Sequence, residues 1–329
     1  MTFPFSVPSA VPLFLAPMAG VSEAPFRRLC RRFGADVVVS EFLSSEGLRR
    51  GSERTLRMAA FAPDERPIGI QIFGAEPAAM ADAAALVTEV FAPEYVDINF
   101  GCPVKKVVKR NGGSGCLKDL DLVERIVRAV AAATPLPVTA KIRSGWDEAH
   151  RDPVAIARRC QDAGARMVTL HARTRTEMFS GSARWDEIAA VVAALEVPVV
   201  GNGDVTSAAD VGRMRDETGC AGVMIARGSF GNPWLFRDAR ALLDGAAPPA
   251  PPTPEERFRT ALEHARLTLA LDGDTPKTVM EFRKHLGWYV RGLPGAAALR
   301  ERLHRVASLA EVEQIFSAYL AGGEVLTAA

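Results

Sequence analysis

Apolar residues fall in short β-rich runs, each closing on polar or turn-forming residues: Leu13 to Pro17, Val37 to Phe42, Pro67 to Gly74, Tyr95 to Pro103, Pro137 to Arg143, Met167 to Arg173, Pro198 to Asp204 and Gly222 to Gly228. Between them the pattern turns helical, at Pro77 to Ala92, Asp119 to Ala133, Pro153 to Gly164, Asp186 to Leu195 and Ser207 to Thr218, with Pro, Asp or Ser near the starts and Gly near several ends. Run starts are 24, 30, 28, 42, 30, 31 and 24 residues apart, the length of a strand, a helix and two loops. Eight such units predict an α/β protein built as a (β/α)8 TIM barrel. A doubly wound sheet is the general alternative for a βαβ chain, but no G-x-G-x-x-G follows the first strand. The 42-residue spacing predicts an enlarged loop after the fourth strand.

Beyond the eighth unit, Gly245 to Pro254 holds five prolines in ten residues, which excludes a helix or inner strand and predicts a stiff linker. Glu255 to Leu271, Pro276 to Arg291 and Leu309 to Leu320 return to helical spacing without strand signals. The expected organisation is a barrel over residues 1–244, a linker over 245–254 and a small helical domain over 255–329.

Charge changes this picture little. The chain carries 40 Lys and Arg against 39 Asp and Glu, a net +1, which excludes retention of nucleic acid by bulk basicity but leaves room for a local basic patch. No apolar run approaches the roughly 18 residues of a membrane span, and the N-terminus lacks the basic start of a secretory signal, so a cytoplasmic protein is expected. Five cysteines, scattered and without a C-x-x-C pair, predict thiols in place of a disulfide framework or a zinc site.

In a (β/α)8 barrel the strand C-termini converge on one mouth, so polar residues closing apolar runs are the first candidates for chemistry. They are Glu41, Gln71, Asn99 with Cys102, Lys141 with Arg143, His171 with Arg173, Asn202 with Asp204, and Arg227. A lone Asn or Gln there is ordinarily a satisfied polar group. A Lys, a His, a Gln and an Asn around one mouth suit a planar, hydrogen-bonding anionic cofactor. Gly201-Asn202-Gly203-Asp204 and Ala226-Arg227-Gly228 close the last two units with small residues that let backbone N–H groups approach a phosphate, although N-G-D is also an ordinary turn. Gly101 and Pro103 leave Cys102 at the mouth, whereas Cys30, Cys160 and Cys220 read as packing residues and Cys116 stays ambiguous. Lys105, Lys106, Lys109 and Arg110 follow Cys102, and Arg173 and Arg175 add charge at the sixth strand; they form either a solvated face or a contact for a phosphate backbone.

Taken in order, these motifs resemble the tRNA-dihydrouridine synthases, most nearly the bacterial subfamily B. The resemblance rests on Ala16-Pro17-Met18-Ala19-Gly20-Val21 with Pro25-Phe26-Arg27, Val39-Ser40-Glu41, Gln71-Ile72, Asp97 to Pro103, Lys141 to Trp146, His171 to Arg175, Asn202-Gly203-Asp204 and Pro233 to Phe236, and it covers nearly the whole chain. It implies an FMN-containing barrel with a helical tRNA-binding domain, reducing uridine in the D-loop of tRNA to 5,6-dihydrouridine with NADPH, or more broadly NAD(P)H, as electron source. It further implies that Pro17, Met18 and Ala19 pack on the flavin, that Gln71, Lys141 and His171 meet its ring and ribityl edges, and that Asn202, Gly203, Asp204, Ala226, Arg227 and Gly228 hold its phosphate end. Cys102 matches the family's proton donor. Asn99 and Arg143 are expected at the uracil edge, and Lys105, Lys106, Arg173 and Arg175 toward the RNA.

Reducing the C5=C6 bond of uracil takes a hydride at C6 and a proton at C5. A thiol with a reference pKa of about 8.5 is mostly protonated near neutrality and can donate without tuning. Two other readings compete: a dihydroorotate dehydrogenase-like flavin enzyme on a free pyrimidine, and a tRNA-binding protein without catalysis. The basic run and the appended helices favour RNA over the first, and the Cys102, Lys141 and His171 set favours catalysis over the second.

Overall fold

The computed structural model describes residues 2–322 apart from Arg110 and the Lys106 side chain. All eight expected strands form: β1 (Leu13–Leu15), β2 (Val37–Val39), β4 (Ile68–Phe73), β5 (Tyr95–Asn99), β6 (Val138–Arg143), β7 (Val168–His171), β8 (Val199–Asn202) and β9 (Gly222–Ile225). Each pairs in parallel with its neighbours, and β1 closes the sheet by pairing with both β2 and β9. The result is a (β/α)8 barrel. A ninth strand, β3 (Leu43–Ser44), is no separate stave: β2 pairs along the first half of β4 at Val38↔Ile68, and β3 resumes the same edge at Leu43↔Ile72. The predicted run from Val37 to Phe42 is thus interrupted at Ser40, whose hydroxyl accepts the Gln71 backbone N–H (3.0 Å).

Period-two alternation sorts the strands into two faces. One set of residues, including Leu13, Leu15, Val38, Ile70, Ile98 and Leu170, packs against the surrounding helices. The intervening set fills the barrel: Phe14, Ala16, Val37, Val39, Tyr95, Met167, Val200 and Met224 form a separate interior cluster, with Phe3, Phe5 and Val7 packed on it. Phe5 stacks on Tyr95 at 4.5 Å. Because that interior set continues two residues at a time, the same alternation carries Asn99, Lys141, His171 and Asn202 inward at the strand C-termini.

The predicted helices appear at Pro77–Phe91, Leu120–Ala133, Pro153–Asp162, Trp185–Ala194 and Ala208–Thr218. The long β5–β6 connection holds a short helix, Lys105–Val108, and a 3-10 segment, Gly113–Lys118. After an irregular proline-rich stretch come Pro254–Asp272, Pro276–Tyr289, Ala296–Leu303 and Leu309–Leu320. Ala296–Leu303 was not legible in the sequence, since eight residues span only about two turns and show little periodicity. These helices do not hang free. Pro254–Asp272 packs on Ala24–Arg32, and one apolar cluster runs from Leu13 through to Phe316. No helix among the described residues is long and apolar enough to cross a membrane.

Candidate active site

A cavity of about 1140 Å³ opens at the C-terminal ends of the strands. The barrel contributes Pro17, Met18 and Ala19 after β1, Asn99 and Cys102 after β5, Lys141 and Arg143 of β6, His171 of β7, and the loops around Asn202 to Asp204 and Ala226 to Gly228. The C-terminal helices add Arg257, Trp288 and Arg291, and the proline-rich stretch adds Pro251 and Pro252. That Arg257, Trp288 and Arg291 reach the cavity was not legible in the sequence. Nothing in helical periodicity distinguishes a residue that faces a cavity on another element.

The loop bearing Cys102 is shaped by a buried polar chain. Asn99 Oδ1 accepts the backbone N–H groups of Gly101 (3.0 Å) and Cys102 (2.8 Å), while its Nδ2 donates to Gln71 Oε1 (2.7 Å). Gln71 in turn donates to Asp97 (2.6 Å), whose other oxygen accepts from Thr139 (2.5 Å). Asn99 therefore orients the Cys102 loop, and Gln71 stands behind Asn99 and off the cavity wall. Cys102 is 7% exposed. Burial pushes its thiol pKa up, against a smaller opposing effect of the Val104 backbone N–H and of Arg143. The side chain is thus a neutral S–H at physiological pH.

On the adjacent strands, Lys141 Nζ donates to Asn202 Oδ1 (3.1 Å), and Asn202 donates onward to the Met224 carbonyl (2.8 Å). Burial, then the positive charge of Arg143, brings Lys141 down to about 8, so its charge is maintained at neutrality but only narrowly. His171 is held well below its ordinary pKa by burial and by the cations Arg143, Lys141, Arg173 and Arg227, and stands neutral. Arg143 is anchored to backbone carbonyls, of Gly101 (2.8 Å), Thr174 (2.8 Å) and Met178 (2.9 Å), so it ties the Cys102 loop to the one after β7.

The residues expected toward RNA separate. Lys105 is exposed at the start of its helix; the Lys106 side chain and Arg110 lie outside the described residues. Arg175 is half-buried with its guanidinium 4.5 Å from the Trp146 ring centroid. Arg173 is 1% exposed and clamps Asp204 through Nη2 (2.7 and 2.9 Å), while also donating to the Ser180 and Gly181 carbonyls. It therefore braces the β8 loop from within, and the Asp204 carboxylate is committed to that brace. Cys116, left unassigned by sequence, is fully buried with its Sγ 2.9 Å from the Asn111 carbonyl, where it pins the β5–β6 loop.

A parallel barrel with a thiol, a lysine and a neutral histidine on one cavity wall has the build of an enzyme whose chemistry sits at the strand C-termini. The chain matches the family described as Dihydrouridine synthase (Dus) over residues 14–321. It is 40% identical to the tRNA-dihydrouridine synthase B of Pseudomonas syringae pv. tomato, over 93% of this chain and 91% of that one, and 42% identical to a probable tRNA-dihydrouridine synthase of Rhodobacter capsulatus, over 93% and 95%. The tRNA-dihydrouridine synthase B of Pseudomonas aeruginosa shares 39% identity over 95% of both chains. The protein belongs to the dihydrouridine synthase family.

Proposed function

We propose that the protein reduces uridine in the D-loop of tRNA to 5,6-dihydrouridine, holding FMN in the cavity and drawing electrons from NADPH. The observation that carries this reading is the buried, protonated thiol of Cys102 on the wall of a cavity that also contains the glycine loops of β8 and β9.

The residues present fit the cofactor. Among the described residues, the backbone N–H groups of Gly203, Asp204 and Gly228 have no acceptor within the chain, so an anion would satisfy them. The loops that present them are crowded. A Cβ at Gly203, where φ is +126°, would fall 2.7 Å from Ala183 Cβ, and one at Gly228 would fall 2.3 Å from the Val205 carbonyl oxygen. Pro17, Met18 and Ala19 offer a mostly apolar wall, Lys141 a cation, and Asn202, Gly203, Asp204, Ala226, Arg227 and Gly228 the phosphate end. The cavity exceeds the several hundred Å³ a small ligand needs, which leaves space for a base beside the cofactor.

Bound and reduced, FMN supplies the hydride for C6 of uracil. Cys102 supplies the proton at C5, and its loop is held for that purpose by Asn99. A uridine stacked in folded tRNA must be extruded to reach the thiol. Lys105, Arg175, Arg257 and Arg291 then offer cations near the rim to the phosphates around it.

Incubation with FMN, NADPH and tRNA lacking the modification is expected to give one equivalent of bound flavin and dihydrouridine at a D-loop uridine, mapped by nucleotide. Failure to bind FMN would sink the cofactor, and dihydrouridine outside the D-loop would sink the position. The Lys141 ammonium makes a second expectation. Its cation favours the anionic cofactor, so FMN affinity should hold below about pH 7 and weaken as pH rises through about 8, where free Lys141 loses its proton. Lys141→Arg, which keeps its charge, should flatten that limb in a fluorescence titration; an unchanged limb would assign it elsewhere.

A further inference from the structure

A second cluster lies behind the Pro17 to Gly20 segment, where the C-terminal helices meet the barrel. Glu23 sits at the N-cap of helix Ala24–Arg32, yet its carboxylate caps none of that helix's N–H groups. It reaches across to His264 of Pro254–Asp272 and His285 of Pro276–Tyr289, whose Nε2 atoms lie 3.7 and 2.9 Å from Glu23 Oε1. The three donor atoms all fall within 4.8 Å of one another. Both rings are buried, 0% and 1% exposed.

Their polar atoms are left unsatisfied. Seven buried side-chain N or O atoms lack a hydrogen-bond partner among the described residues, and three of them are here: Glu23 Oε2, His264 Nε2 and His285 Nε2. The 2.9 Å approach of His285 to Glu23 lacks the alignment of a hydrogen bond. Orphaned buried polar groups that converge are the signature of a missing ion or water. The surroundings are apolar and aromatic: the Phe26 ring lies 5.4 Å and the Phe282 ring 4.8 Å from that of His264, and the Trp288 ring 5.1 Å from that of His285.

We propose that Glu23, His264 and His285 hold a zinc ion that clamps the helical tail to the barrel. Two imidazoles and a carboxylate are a zinc donor set, and bonds of about 2.0–2.1 Å in a tetrahedron put donor atoms roughly 3.3 Å apart, near the 2.9 and 3.7 Å that separate Glu23 Oε1 from the two rings. A water in the fourth position would complete the tetrahedron and donate to Glu23 Oε2, which is otherwise unpartnered. His264 Nδ1 is 3.2 Å from the Tyr289 hydroxyl, a contact that orients the ring and, with the proton on Nδ1, leaves Nε2 free for the metal. Zinc here would bind the barrel helix to the two helices that carry Arg257 and Trp288 to the cavity, with Arg291 just beyond the second.

The test is metal content of the full-length protein, expressed with zinc in the medium and desalted, read by elemental analysis. About one zinc per chain is expected, falling to background in Glu23→Gln and His285→Gln. Stripping by a chelator should lower the Tm of the wild type by roughly 5 °C, restored by added zinc. Cobalt added to the stripped wild type should give the visible bands of a tetrahedral nitrogen and oxygen site, a measurement that stands even if a variant fails to fold. Zinc at background in the wild type, or cobalt bound without those bands, would overturn the clamp.

Discussion

Cys102→Ala is expected to lower dihydrouridine formation by about 10²–10⁴-fold, the usual contribution of a positioned general acid, while flavin content and tRNA affinity stay at wild-type levels. The separation follows from the site. Asn99 holds the loop through the backbone N–H groups of Gly101 and Cys102, which alanine retains, so the substitution removes the proton and leaves the wall. Because burial raises the thiol pKa, wild-type donation should persist above the ordinary thiol range: the S–H form is present at low pH and is lost only as pH climbs through the raised value. Single-turnover assays with pre-reduced enzyme measure the step directly. Normal turnover by Cys102→Ala would refute the proton-donor role.

Arg27→Met should cost about 3–5 kcal/mol, the usual penalty for removing one partner of a buried ion pair. Arg27 Nε meets Glu65 Oε2 at 2.6 Å with the side chains 1% and 0% exposed, and its other nitrogens donate to the Ser22 (2.8 Å) and Ala60 (3.2 Å) carbonyls. The substitution strands a carboxylate in a dry interior and releases the carbonyl before Glu23. Replacing both partners, as in Arg27→Met with Glu65→Leu, should recover much of the loss, because no charge is then left unpaired. Denaturant midpoints of the two variants check this. A double variant no more stable than the single one would show that the carbonyl contacts, and not the ion pair, hold the site.

Much of the fold was legible because period-two and helical patterns are properties of short segments. Eight strand-like runs at nearly regular spacing required only local reading, and the placement of Lys141, His171 and Asn202 at strand ends followed from it. The candidate site was legible less evenly. Arg173 was expected at the rim with Arg175, but two residues along an irregular loop are enough to bury one against Asp204 and leave the other stacked on Trp146. Gln71 and Asn99 were expected at cofactor and substrate; both spend their amides on each other, on Asp97 and on the Cys102 loop, a chain that crosses from β4 to β6.

By itself the sequence determined the number of barrel units and the strand C-termini that share one mouth, with Cys102 placed just after the fourth of them, since each depends on residues close together along the chain. Tertiary structure alone decided that the tail closes the cavity with Arg257, Trp288 and Arg291, and that Glu23 meets His264 and His285 more than 240 residues away. Those contacts arise when elements from opposite ends of the chain bury their apolar faces together, and no local periodicity records which side chains such packing will bring into reach.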